Sequence, residues 1–149
     1  MKKGLRILLA FMAIVIGLYP AIYFMIDRKF GLLQSKSASL LSDVMWNTGF
    51  YTHIILGGIA LLTGWTQFTR FSSLNLNFQR NLGKVYVAAC LLSAMAGIYI
   101  AFFATSGIIA SAGFMCMGVL WFTFTLSAFL SARKRDFEKH EKRMVLSYA

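Results

Sequence analysis

Four stretches of this chain contain no Asp, Glu, Lys or Arg: Ile7 to Ile26, Phe50 to Phe68, Val85 to Phe103 and Ile108 to Ala132. Roughly 20 mostly apolar residues in a helix cross a hydrocarbon layer about 30 Å thick, so each stretch is long enough to span a bilayer. Lipid offers no partner to backbone N–H and C=O groups, which leaves only helices or closed barrels as spanning structures. Barrel strands alternate in polarity over about ten residues. These runs are apolar on all sides, which predicts helices. Composition agrees: 58% of residues are apolar, 13% are charged and mean hydropathy is +0.67, against about 25% charged residues in soluble domains. The expected fold is all-α: a single membrane domain over 1–149, a bundle of four transmembrane helices at about 5–26, 48–68, 83–104 and 108–131, with a basic tail over 132–149.

Lys2, Lys3 and Arg6 ahead of an apolar run also describe a secretory signal. Signal cores are about 7–15 residues long and end at a small-residue cleavage site. Here the run reaches Asp27-Arg28-Lys29 with no such site beside it, so a retained helix is expected. Pro20, near its outer end, lacks an N–H to bond Ile16 and predicts a kink. Orientation follows from the basic residues. Twelve of the fifteen Lys and Arg lie in the N-terminal tail, the 69–84 loop and the C-terminal tail. Positively charged loops stay in the cytoplasm, so both termini are expected inside and the chain is placed in a cell membrane as a multi-pass protein.

The net charge of +10 then reads as a basic rim that attracts anionic lipid headgroups, at about 1 kcal/mol per residue near the surface. With no soluble fold to present that charge, nucleic acid is not an expected partner. Cys90 and Cys116 fall at different depths of two helices, which argues against a disulfide between them. The carboxylates Asp27, Asp43, Asp136, Glu138 and Glu141 all lie outside the spans, so no buried pair is available for proton relay. Phosphate-loop, HExxH, CxxC and GxSxG motifs are absent from the sequence.

Within the 27–48 loop, Leu40, Leu41, Val44 and Met45 stand at helical spacing before Trp46, which predicts a short segment lying on the outer surface. Trp46, Phe50 and Tyr51, with Tyr99, Phe102 and Phe103, mark an outer aromatic belt, and Trp65, Phe68 and Phe71 an inner one. The second helix carries His53, Gly57, Ala60, Gly64 and Gln67 at spacings of 4, 3, 4 and 3, hence on one stripe. Small residues let helix backbones approach closely in lipid. The third helix offers Cys90, Ala94, Gly97, Ala101 and Ala104, and the fourth Phe114, Gly118, Trp121, Thr125 and Ala128. These three faces are expected to pack together, with Gly57, Ala60, Gly64, Gly97 and Gly118 as packing positions.

His53 is the ionisable residue inside a span, and an intramembrane ionisable group is a functional hypothesis by default. Imidazole is a common haem or metal ligand, which makes His53 the candidate cofactor-binding residue. The alternative is a histidine hydrogen-bonded to a neighbouring helix or to interfacial water. A haem at that depth would require a second ligand, for which Met115, Met117 or Met95 are candidates. His140, in the charged tail from Arg133 to Arg143, is expected on a solvated helix surface, where Glu138 and Lys142 form an i, i+4 pair.

Several motifs in order carry a resemblance. His53-x3-Gly57-Gly58-x-Ala60-Leu61-x2-Gly64-x2-Gln67 is followed by Arg80, Gly83-Lys84-Val85-Tyr86-Val87, Gly113-Phe114, Trp121, Asp136-x3-His140 and Ser147-Tyr148-Ala149. Over roughly residues 50–149 the chain resembles the DUF2306 family of predicted bacterial membrane proteins. The resemblance implies a multi-helix membrane bundle with no known activity, and its histidines invite a haem or metal reading by analogy with four-helix b-type cytochromes. The chain departs from that pattern at Asn81, where a histidine is expected, at Arg143, where tryptophan is expected, and at Leu146, where arginine is expected. Relatives continue past Ser147-Tyr148-Ala149, so a short or truncated form is expected.

Two functional readings follow. The first is a non-enzymatic accessory or scaffold membrane protein that forms homo-oligomers or joins a partner membrane subunit. The second is a b-type haem-binding electron carrier with His53 as a ligand.

Overall fold

The computed structural model describes residues 3–25, 31–67 and 76–148. The described residues are helical almost throughout, with no strand among them. The first helix, α1 (Lys3–Leu18), tightens into a 3-10 turn at Tyr19–Ala21 and resumes as α2 (Ile22–Met25). Pro20 sits in that tight turn, where its missing N–H and fixed φ are accommodated by i, i+3 bonding. A second 3-10 turn at Gly31–Ser35 leads to the short α3 (Ala38–Leu41), then α4 (Val44–Gln67), α5 (Leu76–Ala101), α6 (Ile108–Arg133) and α7 (Phe137–Tyr148).

Side chains start several of these helices. Ser37 Oγ accepts from Leu40 N at 3.3 Å to cap α3, and Asp43 Oδ1 accepts from Trp46 N at 3.0 Å to cap α4. These caps satisfy amides that would otherwise lack partners. The α6–α7 turn is a Schellman-type reversal: Asp136 N bonds Ser131 O at 3.0 Å and Arg135 N bonds Ala132 O at 3.1 Å. Arg135 occupies the left-handed position at φ 59°, ordinarily a glycine site. Asp136 then caps α7, its Oδ1 accepting from Lys139 N at 3.1 Å.

Among the described residues three segments are long and apolar enough to cross a membrane: Ile7–Met25, Asn77–Ala101 and Ile108–Arg133. The 24-residue α4 is long enough but falls short in hydropathy, because Asn47, Thr48, Thr52, His53, Thr63, Thr66 and Gln67 dilute its apolar run. The long helices form a row. α1 packs on α4, α4 on α5, α5 on α6, and α7 folds back along α6. α4 and α6 each pack on α5, and Ala60, Cys90 and Ala128, one from each of the three stripes, meet in one core.

At the α1–α4 crossing a Cβ on Gly58 would stand 2.5 Å from Gly17 O, so only glycine permits this approach. The central core joins Ala60, Tyr86, Ala89, Cys90, Ala128 and Met144 from four helices. A second core at the other end holds Leu33, Trp46 and Phe50. Trp46, expected in an interfacial belt, is instead 1% exposed and stacks on Phe50 at 5.2 Å. Val44 and Met45 belong to the first turn of α4 and are exposed, while Leu40 and Leu41 cover the Trp46 core. Phe68 and Phe71 lie outside the described residues.

Candidate functional site

The polar side chains of the interior line up on one face of α5. Tyr86, Cys90, Ser93 and Gly97 follow at spacings of 4, 3 and 4, so they share a stripe. It faces the His53–Gly57–Ala60–Gly64 stripe of α4 at one end and reaches α6 and α7 at the other.

His53 is half-buried between α4 and α5. Its Nδ1 lies 2.9 Å from the Ser93 carbonyl and 3.2 Å from Ser93 Oγ, and Ser93 Oγ donates to the His53 carbonyl at 2.8 Å. Because a carbonyl only accepts, the bond to Ser93 O assigns the proton to Nδ1. No described residue hydrogen-bonds Nε2. Gly97 makes room for the ring: a Cβ there would lie 2.8 Å from Nδ1. A Cβ at Gly57 would meet Ser93 Oγ at 3.3 Å. Ser93 itself is fully buried, and this exchange of bonds ties α4 to α5.

At the other end three hydroxyls meet. Thr125 Oγ1 donates to Trp121 O at 2.7 Å, which leaves it to accept from Ser147 Oγ at 2.6 Å. Ser147 in turn accepts from Tyr86 Oη at 2.9 Å. The chain Tyr86 → Ser147 → Thr125 → Trp121 C=O uses one donor per hydroxyl and joins α5, α7 and α6 at one point. Beside it Tyr148 Oη donates to Leu61 O of α4 at 3.2 Å. A Cβ at Gly64 would lie 2.5 Å from the Tyr148 ring and 2.7 Å from the Tyr86 ring.

The C-terminal helix α7 is thus exposed on one face and docked on the other. His140, expected on a water-facing surface, turns toward α6, and its Nδ1 donates to Ala128 O at 2.9 Å. Met144 and Ser147 are buried below it. Positions 140, 144 and 147 already carried helical spacing in the sequence, obscured by six charged residues from Asp136 to Arg143. The expected Glu138–Lys142 pair forms on the exposed face at 2.7 Å.

Of the remaining candidates, Ala60 is buried, as are Cys90, Ala94, Ala101 and Ala128. Gly118 receives the Ile98 side chain, which a Cβ would meet at 2.6 Å. Phe114 is turned outward. So are Met95 and Met117, while Met115 is half-buried. Both cysteines are free, Cys90 buried and Cys116 exposed. No group of three or more His, Cys, Asp or Glu able to hold a metal occurs among the described residues. Sequence reading did not assign roles to Ser93, Tyr86, Ser147, Gly17 or Gly58. Ser93 and Tyr86 pair with residues 40 and 61 positions away, a relationship that local spacing does not encode.

Long apolar helices with exposed apolar flanks, closed on a hydrogen-bonded polar interior, define an integral membrane protein. The family model described as "Predicted membrane protein (DUF2306)" matches residues 50–149. The chain belongs to that family. No curated protein and no solved structure matches it.

Proposed function

We propose that this protein is a non-enzymatic accessory or scaffold module of the bacterial inner membrane, with four spans and both ends in the cytoplasm. On this reading α4 is the least apolar span because it lies between α1 and α5 and carries the polar contacts of the interior. The observation that carries the proposal is how those groups are used. His53 with Ser93, Tyr86 with Ser147 and Thr125, His140 with Ala128 and Tyr148 with Leu61 each bond one helix to another. Groups arranged this way fix helix packing. The exposed apolar faces of α1 and α6 face lipid, a second copy or a partner subunit, and the basic inner rim meets anionic headgroups. The test is assembly: Gly64→Leu or Gly57→Leu disrupts the native oligomer or complex on size-exclusion chromatography, while His53→Ala leaves it intact. The opposite pattern would sink the proposal.

One observation favours the second reading, a b-type haem carrier. A ligating histidine ordinarily donates its other ring N–H to a carbonyl or carboxylate, and His53 does so through Nδ1, while no described residue hydrogen-bonds Nε2. His53 would supply one ligand. Met95 and Met117 are exposed and Met115 half-buried, so a second ligand is less well supported than His53, which ranks this reading second.

A further inference from the structure

The end of α7 lies well inside the bundle. Tyr148 bonds Leu61, six residues before the end of α4; Ser147 bonds Tyr86, ten residues into α5, and Thr125, eight residues before the end of α6. At 1.5 Å per residue these offsets are about 9, 15 and 12 Å, all in the same direction. Charge is distributed along α7 to match. Glu138, Lys139, Glu141, Lys142 and Arg143 occupy its first seven residues, and exposed Val145 and Leu146 follow. The helix thus runs from a charged first half to an apolar last turn.

Its starting corner is basic on balance: four cations, Arg133, Lys134, Arg135 and Lys139, stand beside the carboxylates Asp136 and Glu138. Arg133, Lys134, Arg135 and Lys139 are exposed, and the one ion pair among the described residues is Glu138–Lys142. Arg135 holds the left-handed turn position at φ 59°, where a side chain other than glycine costs about 1–2 kcal/mol. A guanidinium retained at that cost points to a use for its charge.

We infer that the corner Arg133–Arg135, with Lys139, binds the headgroup of an anionic phospholipid of the inner leaflet, and that this lipid holds α7 in its re-entrant position. The inference rests on the membrane reading proposed above. Its test is hydrogen exchange on the full chain in nanodiscs of phosphatidylcholine alone and in discs with roughly a third phosphatidylglycerol. The anionic lipid is expected to slow exchange at residues 143–148 by about tenfold or more. The triple substitution Arg133→Gln, Lys134→Gln and Arg135→Gln is expected to abolish that difference, and inorganic phosphate added to phosphatidylcholine discs not to reproduce it. Equal exchange in both discs overturns the inference, as does slowing that survives the triple substitution or is matched by free phosphate. Residues 80–100 of α5 serve as the reference: loss of their protection in both discs would overturn the membrane reading itself, and the lipid site with it.

Discussion

Tyr148 lies over Gly64 so closely that a single methyl group at Gly64 would stand 2.5 Å from its ring. The contact joins residues 84 positions apart and anchors the last turn of α7 to α4. Overpacking at such a point costs about 1–3 kcal/mol. Gly64→Ala is therefore expected to lower stability in that range and to expose α7 to protease, as measured by thermal unfolding in detergent and limited digestion. Gly113→Ala, inside α6 with nothing within 4 Å of the added Cβ, is expected instead to raise stability by about 0.5–1 kcal/mol.

The hydroxyl chain from Tyr86 through Ser147 to Thr125 makes a prediction about pairs. Ser147→Ala leaves a buried Tyr86 donor without its acceptor, a loss of about 1–3 kcal/mol. Adding Tyr86→Phe removes the orphaned donor, and the double variant is expected to recover much of that loss. Strict additivity in a double-mutant cycle would contradict the geometry.

Gly97→Ala places a Cβ 2.8 Å from His53 Nδ1 and is expected to displace the ring and break its bond to Ser93 O. In membrane proteins such interhelical bonds average about 0.6 kcal/mol and reach about 1.7, to which steric strain adds. The imidazole resonances by NMR report the displacement directly, and an unchanged His53 environment in Gly97→Ala would contradict the packing.

Asp136→Ala removes the cap that α7 receives at Lys139 N, for an expected loss of about 1 kcal/mol. Amide exchange should accelerate over residues 137–141 and leave α5 unchanged. If exchange instead rises across the whole chain, α7 is not a separately docked element.

Much of this arrangement could be read from the sequence, for identifiable reasons. Charge-free runs report lipid contact one residue at a time, so long apolar helices were legible. The 4, 3, 4 spacing of His53, Gly57, Ala60 and Gly64 is local, so the inward stripe of α4 was legible too. The partners of that stripe were not: His53 meets Ser93 and Gly64 meets Tyr148 only after distant helices dock. α7 was misread because charge density dominates its composition, while only His140, Met144, Ser147 and Tyr148 decide which way it faces. The burial of Trp46 was not legible, because a belt position does not say which neighbours enclose the ring. Here Asp43 caps its helix and Leu33, Leu40 and Leu41 cover its ring. Gly17 and Gly58 pair across a crossing that neither helix announces alone.

The measurement that tests the central claim most directly is an absorption spectrum of the protein purified in detergent from haem-replete cells, oxidised and then reduced with dithionite. If the His53–Ser93 pair is a helix-to-helix lock, the spectrum is flat beyond the aromatic band, and His53→Ala changes stability alone. A Soret band that sharpens on reduction and disappears in His53→Ala would contradict the account and identify His53 as a haem ligand.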